Sequence, residues 1–224
     1  SKLCCIEHIF PMFNACTASA AMSDDDTTPS PPSQQPRKGS AAAAGLEVVV
    51  GTSRHANDAE LVDRVVQMVI ESYASVGGHK TISAEEVRGR LRCGDVEATT
   101  ARRVLHLALR DGCAVGCMSS SLTTPWTPTG CGHWGFLVVA VDAQGTGVAS
   151  ALVQGAETRL KQGGCTEVQI EYEYGANLPH TQRLSDWYEG KLGFKDTSCW
   201  FMNRFFGMIV GGGGTELRRC RKAL

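Results

Sequence analysis

The sequence predicts a mixed α/β fold of the α+β kind, a mostly antiparallel sheet flanked by helices. Three observations carry this. Two strand-like runs, residues 103–109 and 113–122, flank Asp111-Gly112, and an Asp-Gly pair between such runs signals a tight hairpin. The apolar run 133–141 passes through Gln144-Gly145-Thr146-Gly147-Val148-Ala149 into a helical pattern, 148–161. That is half of a β-α-β crossover, for which parallel pairing and a right-handed connection are expected. The patterns along the whole chain then read β-α-α-β-β-β-α-β-α-β, with no internal repeat.

Each element has its own warrant. Leu46 to Val50 is a short β-branched run. Asn57 is followed three residues later by Glu60, a capping-box spacing, and Leu61, Val62, Val65, Val66, Val69, Ile70 and Tyr73 recur at helical intervals up to Gly77-Gly78. Ser83 with Glu86 repeats the box ahead of Val87 and Leu91. Residues 123–132 are rich in Thr, Pro and Gly and read as a loop. The 133–141 run is apolar on both faces, which suits a central strand. Val148, Ala149, Leu152, Val153, Ala156 and Leu160 form the buried stripe of the following helix, which stops at Gly163-Gly164. Residues 167–174 alternate cleanly, with Glu167, Gln169, Glu171 and Glu173 on one face and Val168, Ile170, Tyr172 and Tyr174 on the other. A short helix over 184–192 and a last strand region over 195–206 complete the order.

Composition narrows the function classes. The 224-residue chain has a formal net charge of −1, which implies no electrostatic attraction to nucleic acid or membranes. Its apolar stretches fall short of the roughly 18 residues a membrane helix needs. Residues 1–45 are expected to be a disordered or extension segment. The stretch 24–44 is Ser, Thr, Pro, Gln, Asp and Ala, too polar to offset its ordering entropy. Residues 1–21 read as an extension ahead of Met22 rather than a targeting segment, because Glu7, His8 and Pro11 break the apolar run. The domain is expected over 46–208. The remainder, 209–224, reads as a flexible glycine-rich tail carrying Arg218, Arg219, Arg221 and Lys222. Ten cysteines are many, but Cys113 and Cys117 lie on a strand pattern rather than in a metal knuckle. Buried free thiols in a reducing compartment are the expectation, with a cytoplasmic location and no metal.

The glycine turn is the most informative stretch. A turn entering a helix leaves backbone N–H groups pointing outward at the positive end of the helix dipole, a ready phosphate site. Two standard readings fail. No lysine follows Gly147, as a P-loop requires, and Ser150 stands where a dinucleotide fingerprint needs its third glycine.

With this strand order, Gln144-x-x-Gly147-x-Ala149 resembles the Arg/Gln-x-x-Gly-x-Gly/Ala motif of the GNAT superfamily of acyl-CoA-dependent N-acyltransferases. Trp187-Tyr188-Glu189-Gly190-Lys191-Leu192-Gly193-Phe194 resembles the family's Tyr-Glu-x-x-Gly-Phe signature. The pair lies in the family's order with a strand between. The sequence departs from the pattern at Val141, where a proline is common, and at Thr181, where an asparagine is common; Asn177 stands four residues earlier.

The resemblance implies a GNAT-like sheet whose fourth and fifth strands splay apart, with acetyl-CoA as co-substrate in the gap. Its pyrophosphate would sit on the amides of Gln144, Gly145, Thr146, Gly147, Val148 and Ala149. Its pantetheine arm would follow the strand carrying Val138, Val139 and Val141, and Asn177 would reach the cofactor. Tyr188 matches the position of the family's acid near the sulfur. Glu171 and Glu173, on one face of the fifth strand, are candidate bases for the amine proton, and His133 is a further one. The implied activity is N-acetyl transfer to a primary amine, a small molecule or a peptide amine, in a ternary complex, by a monomer or homodimer. The alternative class is an acyl-CoA-binding module without turnover. Trp126 and Trp200 are candidates for an apolar acceptor pocket.

Overall fold

The computed structural model describes residues 45–97, 100–198 and 215–224. Its elements are β1 (Leu46–Val50), α1 (Ser53–Ala56), α2 (Ala59–Ala74), α3 (Ala84–Arg92), β2 (Arg103–Arg110), β3 (Cys113–Ser121), β4 (Cys131–Val139), α4 (Val148–Gln162), β5 (Glu167–Gly175), α5 (Pro179–Ser185), β6 (Lys195–Asp196) and β7 (Thr215–Ala223). A wide π-helical turn, Asp186–Lys191, continues α5. The seven strands form one sheet in the order β1-β2-β3-β4-β5-β7-β6. Neighbours are antiparallel except β4 and β5, which are parallel. The α+β expectation holds.

Local chemistry explains the main elements. The β2–β3 hairpin turns at Asp111 (φ 51°) and Gly112 (φ 80°). Two successive positive φ values give the turn whose twist matches a hairpin. The cap of α2 is one residue later than its spacing suggests. Asn57 takes a right-handed helical conformation closing α1, so the extended Asp58 accepts the hydrogen bond from Leu61 N–H. The Ser83–Glu86 box opens α3 as expected. The apolar faces of α2 (Val62, Val65, Met68, Val69) and α4 (Val148, Leu152, Ala156, Leu160) are fully buried in the core.

The α4 stripe also contains a buried cation that periodicity did not flag. Arg159 donates to Ser120 O (3.2 Å), Ser120 Oγ (2.9 Å) and Ala101 O. His106 Nε2 lies 2.8 Å from the same Ser120 hydroxyl.

The basic run at the end corrects the sequence reading. Within 209–224, residues 215–223 are not a tail but strand β7, paired along its whole length with β5, from Glu167↔Ala223 to Gly175↔Thr215. Its charges alternate as a strand requires. Arg219 and Arg221 meet Glu171 and Gln169 on one face. Arg218 and Lys222 meet Glu189 and Glu157 on the other, and Cys220 is buried between them. Of the strand region 195–206, β6 accounts for Lys195–Asp196; residues 199–214, Trp200 among them, lie outside the described residues, as does 1–44 of the amino-terminal segment.

Opposed pairing opens the centre of the sheet. β4 and β5 pair only at Cys131↔Glu167, Gly132↔Val168 and His133↔Gln169. Beyond that point β5 follows β7, while β4 follows β3 through a bulge. Phe136 and Leu137 of β4 face the single residue Met118 of β3, since Cys117↔Val138 is succeeded by Ser119↔Gly135. Phe136 sits at φ 52°, a left-handed conformation costly for a bulky side chain.

Candidate active site

The glycine turn stands at the open end of this gap. Gly145 (φ 75°) and Gly147 (φ 91°) are both left-handed, and Gly147 is the cap of α4. A Cβ at either would meet nothing within 4 Å, so glycine is required there by backbone conformation rather than space. Unlike α2 and α3, α4 has no side chain capping its first amides. The turn is exposed while Val148 is buried and anchors it. The amides of Gln144 and Thr146 donate within the turn, to Val141 O and Ala143 O, and the uncapped amides at the start of α4 suit a phosphate group.

Three residues that the motifs did not flag support the turn. Gly116 of β3 lies beneath α4, where a Cβ would come within 2.7 Å of Val148 and 3.0 Å of Leu152, so its bareness lets the helix start sit close on the sheet. Arg110, at the end of β2, donates to Thr146 Oγ1 (3.1 Å), and Thr146 Oγ1 donates to Ala143 O (2.7 Å). Ser72 of α2 donates to Val139 O (2.9 Å), tying the end of β4 to the opposite layer. Gln144 Nε2 reaches the same carbonyl at 3.4 Å.

Tyr188 lies in the π-helical turn and is buried in an aromatic cluster. Its ring centroid is 5.1 Å from those of Tyr172 and Trp187 and 5.7 Å from that of Trp134. Burial, followed by Tyr172 and Tyr73, pushes its phenol above the ordinary value. Its neighbour Glu189 is a brace. It accepts from the Tyr172 hydroxyl, from Ser185 Oγ (3.2 Å) and from Arg218 Nη1 (2.9 Å). Arg218 in turn stacks over Tyr174 at 3.5 Å. The strand misread as a tail thus holds the turn that carries Tyr188.

The two carboxylates on the other face of β5 differ. Glu171 is engaged by His133 Nε2 (2.8 Å), Gln169 Nε2 (2.5 Å) and Arg219 Nε (3.4 Å). Burial opposes its ionisation, but those hydrogen bonds and charges outweigh it and hold the carboxyl below its usual range. Burial raises the carboxyl of Glu173, which has no hydrogen-bond or ion-pair partner among the described residues. Trp126 packs edge-on against His133 with ring centroids 5.7 Å apart. Val138 is buried, Val139 half-buried and Val141 exposed along the β4 side of the opening. Asn177 is exposed just after β5. Thr181, where an asparagine is common in the motif, is buried and commits its hydroxyl to Gly175 and Leu178. Among the described residues, no group of three or more His, Cys, Asp or Glu side chains is arranged to hold a metal.

A parallel strand pair parts in mid-sheet, with an uncapped helix at the opening suited to a phosphate-bearing ligand. The chain matches the acetyltransferase (GNAT) family over residues 67–194, more than half its length, and belongs to that family. Solved structures share the fold. An acetyltransferase from Thermus thermophilus is 20% identical, with a TM-score of 0.56 over 81% of this chain and 99% of that one. The PaiA N-acetyltransferase from Thermoplasma acidophilum, in complex with coenzyme A, is 12% identical, with a TM-score of 0.56 over 80% and 99%. A NatC complex bound to Gag peptide and CoA gives 17%, 0.56, 80% and 98%. A comparison with curated proteins gives no match. Among the described residues, no helix is long and apolar enough to cross a membrane.

Proposed function

We propose that the protein is an N-acetyltransferase that passes the acetyl group of acetyl-CoA to a primary amine, by direct transfer in a ternary complex. The observation that carries this reading is the parting of β4 and β5 beyond His133↔Gln169. It leaves backbone on one side of a gap and carboxylates on the other, with Tyr188 packed on Tyr172 and Trp134 at the opposite face of β5. The residues fit the donor. Within Gln144 to Ala149 the amides of Gly145, Gly147, Val148 and Ala149 hold its pyrophosphate, since those of Gln144 and Thr146 already donate to Val141 O and Ala143 O. Val138 and Val139 of β4, with Val141 just past its end, run beside its pantetheine. Asn177 stays a contact to test.

Acetyl-CoA supplies a thioester carbonyl; the protein supplies the rest. A backbone N–H freed at the Phe136 bulge steadies the developing charge on the carbonyl oxygen. Glu173 takes the proton that the ammonium must lose before nitrogen can attack, because its carboxyl is raised and unengaged. Glu171 instead orients His133 and the mouth of the gap. The new C–N bond forms as the C–S bond breaks. The phenol of Tyr188, held protonated by its burial, gives its proton to the departing sulfur and regains one as the acylated nitrogen sheds its second proton through water.

The test is release of free thiol from acetyl-CoA across a panel of amines. Tight CoA binding with no thiol release for any amine refutes the enzyme and leaves an acyl-CoA-binding module. Tyr188→Phe should lower kcat on the order of a hundredfold with CoA affinity unchanged; undiminished turnover removes Tyr188 from the mechanism.

A further inference from the structure

Two charges of opposite sign beside the gap have no ion-pair partner among the described residues. One is Arg90 of α3. It is half-buried, and its guanidinium lies 4.7 Å above the ring of Phe136, the bulge residue of β4. Among the described residues no carboxylate stands within ion-pair distance of it. Glu86, one turn earlier, bonds its carboxylate to Ser83 N (2.9 Å) and Ser83 Oγ (3.2 Å) and feels Arg90 only through space. The other is Glu173, half-buried on β5 with no partner among the described residues, whereas its neighbour Glu171 is matched by Arg219.

Arg90 lies over Phe136, three residues beyond His133 on β4, and Glu173 stands four residues beyond Gln169 on β5, both past the last β4–β5 pair, His133↔Gln169. Cys117 pairs with Val138 beside the bulge. A cation at the β4 edge and an anion on the β5 edge thus flank the same gap. A partly desolvated charge without a counterion is unfavourable, and a ligand of complementary charge relieves it.

Building on the N-acetyl transfer proposed above, we infer that the acceptor is a zwitterion: a small primary amine that also carries a carboxylate, of the amino-acid class. Glu173 receives its ammonium beside the thioester. Arg90 receives its carboxylate, for which a planar guanidinium offers two parallel donors. A simple polyamine satisfies Glu173 but places a second cation near Arg90.

The experiment is acetyl transfer from acetyl-CoA to amino acids of increasing length, each compared with its own carboxamide and with the decarboxylated amine. For the best acceptor, kcat/KM should exceed that of its carboxamide about tenfold or more. Arg90→Gln should bring that ratio near one by raising acceptor KM, with the KM for acetyl-CoA unchanged. Arg90→Lys should restore part of the ratio. A purely structural role for Arg90 would lower acid and amide together and leave the ratio intact. Turnover indifferent to the carboxylate, or a ratio unmoved in Arg90→Gln, overturns the zwitterion inference alone. No thiol release with any amine overturns the transferase reading beneath it as well.

Discussion

His106 predicts how this protein fails in acid. The imidazole is 3% exposed, and it shares the Ser120 hydroxyl with the Arg159 guanidinium. Burial, with Arg159 second, lowers its pKa from 6.5 to about 4. The folded protein therefore refuses a proton that the unfolded chain accepts. Stability from this site is complete above about pH 6.5 and is lost as pH falls toward 4. At pH 5 the unfolded imidazole is almost fully protonated and the folded one is not, which amounts to about 2 kcal/mol; the full interval amounts to about 3 kcal/mol. Lowered carboxyls such as Glu171 and Glu86 withdraw their contributions only below about pH 4.5. Urea denaturation at pH 7.5, 6 and 5 on the wild type and His106→Gln isolates the effect. The variant starts from its own baseline, but its stability should fall about 2 kcal/mol less by pH 5. Parallel slopes for the two proteins would refute the buried neutral imidazole.

Gly147→Ala forces a side chain onto φ 91° with no steric clash, so it should cost about 1–2 kcal/mol of backbone strain and weaken CoA binding several-fold by calorimetry. Unchanged affinity would show that the turn does not hold the donor. Glu173→Gln should lower kcat/KM on the order of a hundredfold or more. It should also remove an activity limb that rises with pH as the burial-raised carboxyl ionises, while Glu171→Gln should leave that limb in place. Arg218→Met removes the hydrogen bonds to Glu189 and Glu216 and the stacking over Tyr174. It should destabilise by about 2–4 kcal/mol in urea denaturation; a loss below about 0.5 kcal/mol would mean the brace is only a surface pair.

What could be read from the sequence was local. The Asp111-Gly112 hairpin, the Ser83–Glu86 box and the glycine turn each state their geometry within a few residues, and each stands where its pattern put it. The alternation of 167–174 assigned both faces of β5 correctly, including the pairing of Glu171 with Glu173 on one side. Features built by distant partners were not legible. Arg218, Arg219 and Lys222 look like a solvated tail until Glu189, Glu171 and Glu157 stand opposite them. Arg90 belongs to a polar stretch of α3 and gains significance only from Phe136, 46 positions away in the chain. Gly116 has no signal of its own, because the atoms that need its space belong to Val148 and Leu152 of another layer.

The bulge ties these distant features together. A bare parallel pair has no reason to part: each further residue of pairing would add a ladder hydrogen bond. Two constraints pull β4 and β5 apart. β7 claims β5 for its entire length, and the bulge turns β4 to follow β3. The bulge is held at an unfavourable backbone conformation by a phenylalanine, for which positive φ costs more than it does for glycine. The Phe136 ring lies under the Arg90 guanidinium. In the proposed reaction this strained residue would couple the two requirements of acyl transfer, stabilising the carbonyl oxygen at the bulge and positioning the amine through Arg90.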